Sequence, residues 1–175
     1  MGVTDIKGWG MTGSHAKVFS SERTSELFEG KPVIRMWRTD DREDGFGAMF
    51  QYFDARKFLG KRVRLSAALR TVGVTDRAAL CLRVDGKSMS KHVAFDNMDN
   101  RPPIRGTTEW ARHACVVDVP RKARGIFISN ILSGRGELFW ADVRFEIVDE
   151  SVPVTDMQKS APNHHKKPTN LDFSL

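Results

Sequence analysis

Residues 136–149 read GELFWADVRFEIVD and show a regular alternation of apolar and polar side chains. The side chains predicted to face the core are Phe139, Ala141, Val143, Phe145 and Ile147. Those predicted to face solvent are Trp140, Asp142, Arg144 and Glu146. A period of two is typical of a strand with one buried and one exposed face. Since residues 151–153 break this pattern, we predict that the strand is the last one of its domain.

Three other stretches predict strands that pack with the first one. The stretch 61–71 is predicted to bury Val63, Leu65, Ala67 and Leu69. The stretch 77–85 repeats the scheme with Leu80, Leu82 and Val84. Residues 46–53, FGAMFQYF, are too apolar for a surface strand and are predicted to lie centrally. The polar stretch 21–31 instead predicts a turn or a single helical turn.

Length and composition indicate one domain with a sizeable core. The chain has 175 residues, of which 40% are hydrophobic, and helical periodicity is almost absent. Short strands separated by loops at fairly even spacing favour an all-β fold, an antiparallel β-sandwich of jelly-roll type. We expect a single sandwich domain over residues 1–150, followed by a mobile tail over residues 151–175.

Charge and targeting signals narrow the function classes. The net charge is +6, but no helix-turn-helix, zinc-finger or RNA-binding signature accompanies it, so nucleic acid is not an expected partner. The chain lacks an apolar run long enough to span a bilayer and a secretory signal, which predicts a soluble, cytoplasmic protein without a membrane partner. Cys81 and Cys115 are predicted to be reduced thiols, with a disulfide as the alternative.

Catalytic and metal-binding patterns do not stand out. Ser, His and Asp are present without a Gly-x-Ser-x-Gly elbow, and no carboxylate spacing identifies a glycosidase pair. His113 and Cys115 share a strand face, which we interpret as a core thiol beside a half-buried imidazole. The acidic loop at residues 40–44 and the pair His164–His165 are interpreted as solvated. We therefore predict a protein that is not an enzyme and needs no cofactor.

Ligand recognition is the function that the strands favour. Sugar sites combine an aromatic platform with planar polar groups that make paired hydrogen bonds to hydroxyls. Side chains of this kind lie on predicted strands with outward parity: Trp37, Gln51, Arg64, Arg70, Arg83, Trp140 and Arg144. We predict that they form a ligand-binding face. The alternative interpretation is that the arginines are solvated and the tryptophans pack at the ends of the sandwich.

Two resemblances add to this interpretation. The motif Trp140-Ala141-Asp142-Val143 resembles the closing strand of carbohydrate-binding modules of the galactose-binding-like superfamily, in which a carboxylate near this position helps to bind a structural calcium. Asp142 is therefore a weak candidate metal ligand. Most of residues 5–150 also resembles a bacterial family of uncharacterised stand-alone sandwich domains, often labelled as AraC-type transcriptional regulators. The runs that carry this likeness include DIKGWGMTGS, LCLRVDG and ILSGRGELFWADVRFE.

The resemblances imply a galactose-binding-like sandwich that binds ligands without catalysis. The expected partner is a carbohydrate-like or anionic small molecule held on one sheet face. The alternative is a regulatory accessory domain that acts through oligomerisation or a partner protein. In the second family a segment like residues 168–173, PTNLDF, precedes the KGW element, so here it could add a strand, including to a second copy of the chain.

Overall fold

The computed structural model describes residues 6–88 and 91–158. These residues form nine strands and two short 3₁₀ helices, at Ala16–Val18 and Arg56–Phe58. The strands are β1 (Gly10–Thr12), β2 (Phe19–Phe28), β3 (Lys31–Arg38), β4 (Phe46–Asp54), β5 (Arg62–Asp85), β6 (His92–Asp96), β7 (Ile104–Asp118), β8 (Gly125–Ser133) and β9 (Glu137–Val148). All pairings are antiparallel. Within the described ranges, none of the helices has the length and apolar character needed to cross a bilayer.

The strands form two layers that share β5. The first half of β5 pairs with β9 and β7, and β9 continues through β3 to β2. The second half pairs with β8 and β6, and β8 continues through β4 to β1. We call these layer A and layer B. The predicted all-β antiparallel sandwich is confirmed, but residues 62–85, predicted as two strands, are one strand of 24 residues that passes from one layer to the other.

The core lies between the layers and follows the alternation along β5. Val63, Leu65, Ala67 and Leu69 from its first half meet Leu80, Leu82 and Val84 from its second half, and all are at most 1% exposed. Successive strand side chains point to opposite faces, so the residues that alternate with these core positions face outward from their layer. Arg64 therefore lies on the outer face of layer A, and Arg83 lies on the outer face of layer B. Their side chains point away from one another.

The alternation of core-facing and outward side chains in β9 shifts by one residue in the middle of the strand. The predicted faces of its first half are therefore wrong. Leu138 and Trp140 face the main core, whereas Phe139 and Ala141 belong to a small apolar cluster on the outer face of layer A. The register with β5 shifts between Ser66 and Ala68, opposite Asp142, whose φ is 48°. Such a bulge inserts one residue and reverses the faces that follow it. Val143 and Phe145 consequently pack on the core as predicted.

Two end segments also differ from the predictions. Residues 21–28 belong to the edge strand β2 instead of a turn. Residues 155–158, placed by the prediction in a mobile tail, pack against both layers. Thr155 exchanges hydrogen bonds with the backbone of Val116 in β7, and the Met157 N–H donates to the Phe95 carbonyl in β6 at 2.8 Å. The strand proposed for residues 168–173 lies outside the described residues.

Candidate functional site

A cleft of about 660 Å³ lies on the outer face of layer B. Strands β4, β8, β5 and β6 supply its floor, and β1 closes one side. The lining is mostly apolar and rich in aromatic rings: Phe46, Phe50, Tyr52, Phe95 and Phe127, with Ala48 and Ile131. The polar side chains are Thr12, Cys81, Arg83, Asn97 and Ser129. A volume of this size fits a ligand of several rings.

Cross-strand register explains why these side chains converge. Tyr52 of β4 is opposite Phe127 of β8, which is opposite Arg83 of β5, which is opposite Phe95 of β6. The next row places Phe50 opposite Ser129. Because directly opposed residues share a face, each row crosses the whole cleft. The rings of Phe50 and Phe127 stack at 5.3 Å with an angle of 15° between their planes.

The positive charge of the Arg83 guanidinium is balanced by a neighbouring carboxylate. Its Nε and Nη2 donate to the two carboxylate oxygens of Asp85 at 2.9 and 3.0 Å, and Asp85 is fully buried. The same guanidinium lies 4.6 Å from the centre of the Phe127 ring. A bidentate pair fixes the side chain in one orientation and cancels its charge. Arg83 therefore presents a rigid planar donor edge with little net attraction for an anion.

Tyr52 supplies a hydroxyl at one end of the cleft. Its ring lies over Gly125, where an added Cβ would fall 1.9 Å from the hydroxyl oxygen, so a larger residue there would displace the Tyr52 ring. Burial and the nearby charge of Asp85 raise the pKa of Tyr52 above its ordinary value. The phenol thus stays protonated at neutral pH and can both donate and accept a hydrogen bond.

The outer face of layer A holds four of the predicted ligand residues, namely Trp37, Arg64, Arg70 and Arg144. The arginines of this face pair with carboxylates on neighbouring strands. These ion pairs are Arg35 with Glu22 and Glu137, Arg62 with Asp118, Arg64 with Glu146, Arg70 with Glu26, and Arg112 and Arg144 with Asp142. Six arginines therefore meet six carboxylates, and the expected positive surface is electrically balanced.

Aromatic rings on this face are used in packing. The Arg70 guanidinium lies 4.1 Å from the centre of the Phe139 ring and 5.3 Å from that of Trp110. Arg35 lies 4.5 Å from the Trp37 ring. Cation–π stacking of this kind holds each ring against its arginine. On the outer face of layer A, these arginines are therefore paired with carboxylates, and these aromatic rings are stacked against arginines.

Asp142 does not have the surroundings of a calcium ligand. Its Oδ2 accepts hydrogen bonds from Arg112 and, at 2.6 Å, from Arg144, and these side chains hold the pKa of the carboxyl below its ordinary value. Two guanidinium groups occupy the position that a cation would need. Within residues 6–88 and 91–158, no three His, Cys, Asp or Glu side chains come together as metal ligands.

Trp140 and Gln51 were predicted to face outward, but both lie on the core side of their strands. Trp140 is 2% exposed and meets the Trp9 ring edge-on at 4.9 Å, because the β9 bulge places it on the core side. Gln51 is opposite Ile128, a core residue, and therefore points away from its neighbours Phe50 and Tyr52. Of the predicted set, Arg83 alone lines the cleft of layer B.

The aromatic residues of the cleft were missed because β4 was interpreted as a fully buried strand. In residues 46–53 aromatic side chains occur at both parities: Phe46, Phe50 and Tyr52 on one side, and Phe53 on the other. This pattern indicates two apolar faces. In β4 one face packs on the core through Met49 and Phe53, and the other lines the cleft.

Cys81 in the cleft floor should be unreactive. Its side chain is buried, and burial raises the pKa of the thiol to about 12. At pH 8 the thiolate fraction is then on the order of 10⁻⁴. Cys115 is 0% exposed, and burial raises the pKa of its thiol as well. We expect native protein to release almost no thionitrobenzoate from Ellman's reagent, and urea-unfolded protein to titrate both free thiols. Rapid labelling of one thiol in native protein would contradict this burial.

Comparisons with known proteins agree with the architecture. No family model matches the chain. The chain is 40% identical over 170 residues to an uncharacterised HTH-type transcriptional regulator, YbfP, from Bacillus subtilis. That match covers 96% of this chain and 57% of the regulator, so the chain spans little more than half the length of this relative.

Solved structures give the same fold at low identity. The CBM22-1 xylan-binding domain of Xyn10C from Paenibacillus barcinonensis matches with a TM-score of 0.53 and 11% identity, over 82% of this chain and 88% of that one. TmCBM61, solved with β-1,4-galactotriose, matches with a TM-score of 0.51 and 12% identity, over 81% and 90%. The enzymatically active domain of bacteriophage CBA120 tailspike protein 4 matches at 0.61 and 14%, over 82% and 20%. The chain has the β-sandwich fold of carbohydrate-binding modules.

Proposed function

We propose that this chain is a non-catalytic binding module that holds a neutral carbohydrate in the cleft of layer B. The observation that carries the proposal is the row of rings formed by Tyr52, Phe127 and Phe95, with Arg83 fixed between the last two. Pyranose rings present apolar C–H faces that stack on such rings, and their hydroxyls accept from planar donors. No arrangement of nucleophile and base accompanies the cleft among the described residues that line it.

The charge of the cleft favours a neutral ligand over an anionic one. Arg83 is the one cation among the described residues that line the cleft, and Asp85 already binds its Nε and Nη2 groups. A carboxylate or phosphate at the remaining N–H groups of Arg83 would gain little net attraction, because Asp85 already balances the charge of the guanidinium. Hydroxyl groups need no net charge, since they can bond to the outer N–H groups of Arg83, to Asn97 and to the Tyr52 phenol.

The related structures are consistent with this chemistry. One is named a xylan-binding domain and another was solved with β-1,4-galactotriose. These ligands are neutral sugars, and they belong to those proteins. For this chain they supply a first choice of probes.

A regulatory role is the second candidate, and one observation favours it. The similarity to YbfP covers nearly all of this chain and just over half of that transcriptional regulator. In this second proposal, the sandwich acts as the sensing or assembly part of a regulator. Light scattering should then show an oligomer for the full chain that is lost on truncation after residue 158, whereas a module acting alone keeps its mass.

The test of the first proposal is a calorimetric titration with xylohexaose, β-1,4-galactotriose and a trigalacturonate. We expect one of the neutral sugars to bind with a dissociation constant in the micromolar to millimolar range and the trigalacturonate to bind more weakly. Absence of heat for both neutral sugars and binding of the trigalacturonate would contradict a neutral-sugar site. A Trp37→Ala variant, altered on the outer face of layer A, serves as the folded control and should bind as the parent does.

A further inference from the structure

Two neighbouring loops at one end of the sandwich carry cations without carboxylate partners. They connect β4 to β5 (residues 55–61) and β7 to β8 (residues 119–124). The exposed cations, which we call the basic end, are Lys57, Lys61, Arg121, Lys122 and Arg124. None of the five makes an ion pair within the described part of the chain. The chain as a whole has a net charge of +6, so much of its excess is concentrated here.

Three carboxylates near the basic end are paired with other arginines, whereas Asp149 and Glu150 lie beside Arg62 outside any ion pair among the described residues. Asp54 pairs with Arg56 at 2.9 Å, and Asp118 pairs with Arg62 at 2.8 Å. Asp85 is buried against Arg83. This contrasts with the outer face of layer A, where cross-strand carboxylates neutralise the arginines. The uncompensated charge of the basic end therefore remains available to a partner.

The backbone beneath these cations is fixed. The Gly60 N–H donates to the Val119 carbonyl at 2.8 Å, and the Val119 N–H donates to the Lys61 carbonyl at 2.9 Å. The Ala55 N–H donates to the Arg124 carbonyl at 3.1 Å, and Phe58 packs edge-on against the Phe145 ring at 5.1 Å. Because both loops are joined to each other and to the core, the five cations are carried by one fixed stretch of backbone.

We propose that the basic end binds the phosphate backbone of duplex nucleic acid without reading its sequence. Five clustered cations fit a regular polyanion, and each contacted phosphate releases condensed counterions. The loops carry neither a recognition helix nor an exposed aromatic ring for base stacking, so contacts stay on the backbone. A lipid surface fits less well, because membrane-binding segments expose apolar side chains beside their cations, and here Phe58 and Leu59 are half-buried while Ala123 is buried.

The experiment measures fluorescence anisotropy of a labelled 20-base-pair duplex of arbitrary sequence between 50 and 200 mM salt. We expect parent protein to bind with a steep salt dependence. The triple variant Lys57→Gln, Arg121→Gln, Lys122→Gln should weaken binding roughly 10- to 100-fold at 50 mM salt and flatten the log–log slope by about 2–3. A second duplex of unrelated sequence should bind within about twofold of the first.

The matched control removes an equal number of positive charges from other parts of the surface. Lys7→Gln, Lys17→Gln, Arg105→Gln also replaces two lysines and one arginine, all exposed, and should retain parent affinity within about threefold. An equal loss in both triple variants would overturn the proposal, since net charge alone would then explain binding. Absence of duplex binding by the parent at 50 mM salt would also overturn it. So would tight binding of heparin or anionic vesicles in place of the duplex.

Discussion

Replacing Phe127 by alanine is expected to weaken binding of a neutral oligosaccharide by roughly 10- to 100-fold, at about 1.4 kcal/mol per tenfold change. Phe127 lies at the centre of the cleft, stacked on Phe50 at 5.3 Å and covered in part by Arg83 at 4.6 Å. Its removal deletes an apolar part of the cleft floor and also frees the guanidinium that the ring helps to position. The measurement is a calorimetric titration of parent and variant with whichever neutral sugar the parent binds.

The position of the ring provides the control for this prediction. Trp37 is also an aromatic strand residue stacked with an arginine, but it lies on the outer face of layer A. Trp37→Ala should therefore leave affinity within about twofold of the parent. If Trp37→Ala abolishes binding and Phe127→Ala does not, the ligand binds layer A and the proposed cleft is wrong. Circular dichroism of each variant separates loss of binding from loss of fold.

Local alternation was sufficient to predict the sandwich and most of its core. Val63, Leu65, Leu80 and Leu82 were assigned to the buried face from their period of two, and each is at most 1% exposed. This works because a strand that is buried on one face must alternate, whatever its partners are. The same reasoning could not show that residues 62–85 form one strand, since a bend between two layers leaves no signature in the period.

The bulge in β9 explains why the alternation failed in that strand. A single inserted residue at Asp142 moved Trp140 from the predicted outer face into the core and moved Phe139 out of it. Nothing in the sequence around Asp142 requires a positive φ, because aspartate tolerates that conformation without demanding it. The bulge is instead held by Arg112 and Arg144, which reach Asp142 from β7 and from β9 itself.

The ligand-binding face was the least predictable feature. Arginines at outward positions suggested a positively charged surface, yet neutralisation of Arg64 depends on Glu146, which is 82 residues away in the chain. Only the strand order and register place such groups side by side. The division of Arg64 and Arg83 between opposite faces has the same origin, because β5 contributes to both layers. Strand pairing therefore determines where the cleft forms, and the residue types alone do not predict it.

Asp96 connects the cleft strand β6 both to the loop that follows it and to the segment at residues 155–158. Loss of this side chain should therefore destabilise the fold strongly. The side chain is 0% exposed, and its Oδ1 accepts from the Met98 N–H at 2.8 Å. Its Oδ2 accepts hydrogen bonds from Arg101 and from the Thr155 hydroxyl. Asp96→Ala would leave the Arg101 guanidinium, 27% exposed, without its carboxylate. We expect the free energy of unfolding to fall by about 3 kcal/mol, near the lower end for a broken buried pair because water can reach Arg101.

Urea unfolding followed by tryptophan fluorescence measures this change. The midpoint should fall while the m-value stays near that of the parent, since the same surface is exposed on unfolding. Glu43→Ala is the matched control, because Glu43 also accepts from an arginine, Arg135, but both side chains are about half exposed. Its expected cost is less than about 1 kcal/mol. Equal losses for the two variants would mean that burial adds nothing at Asp96, and that the segment at residues 155–158 does not depend on this carboxylate.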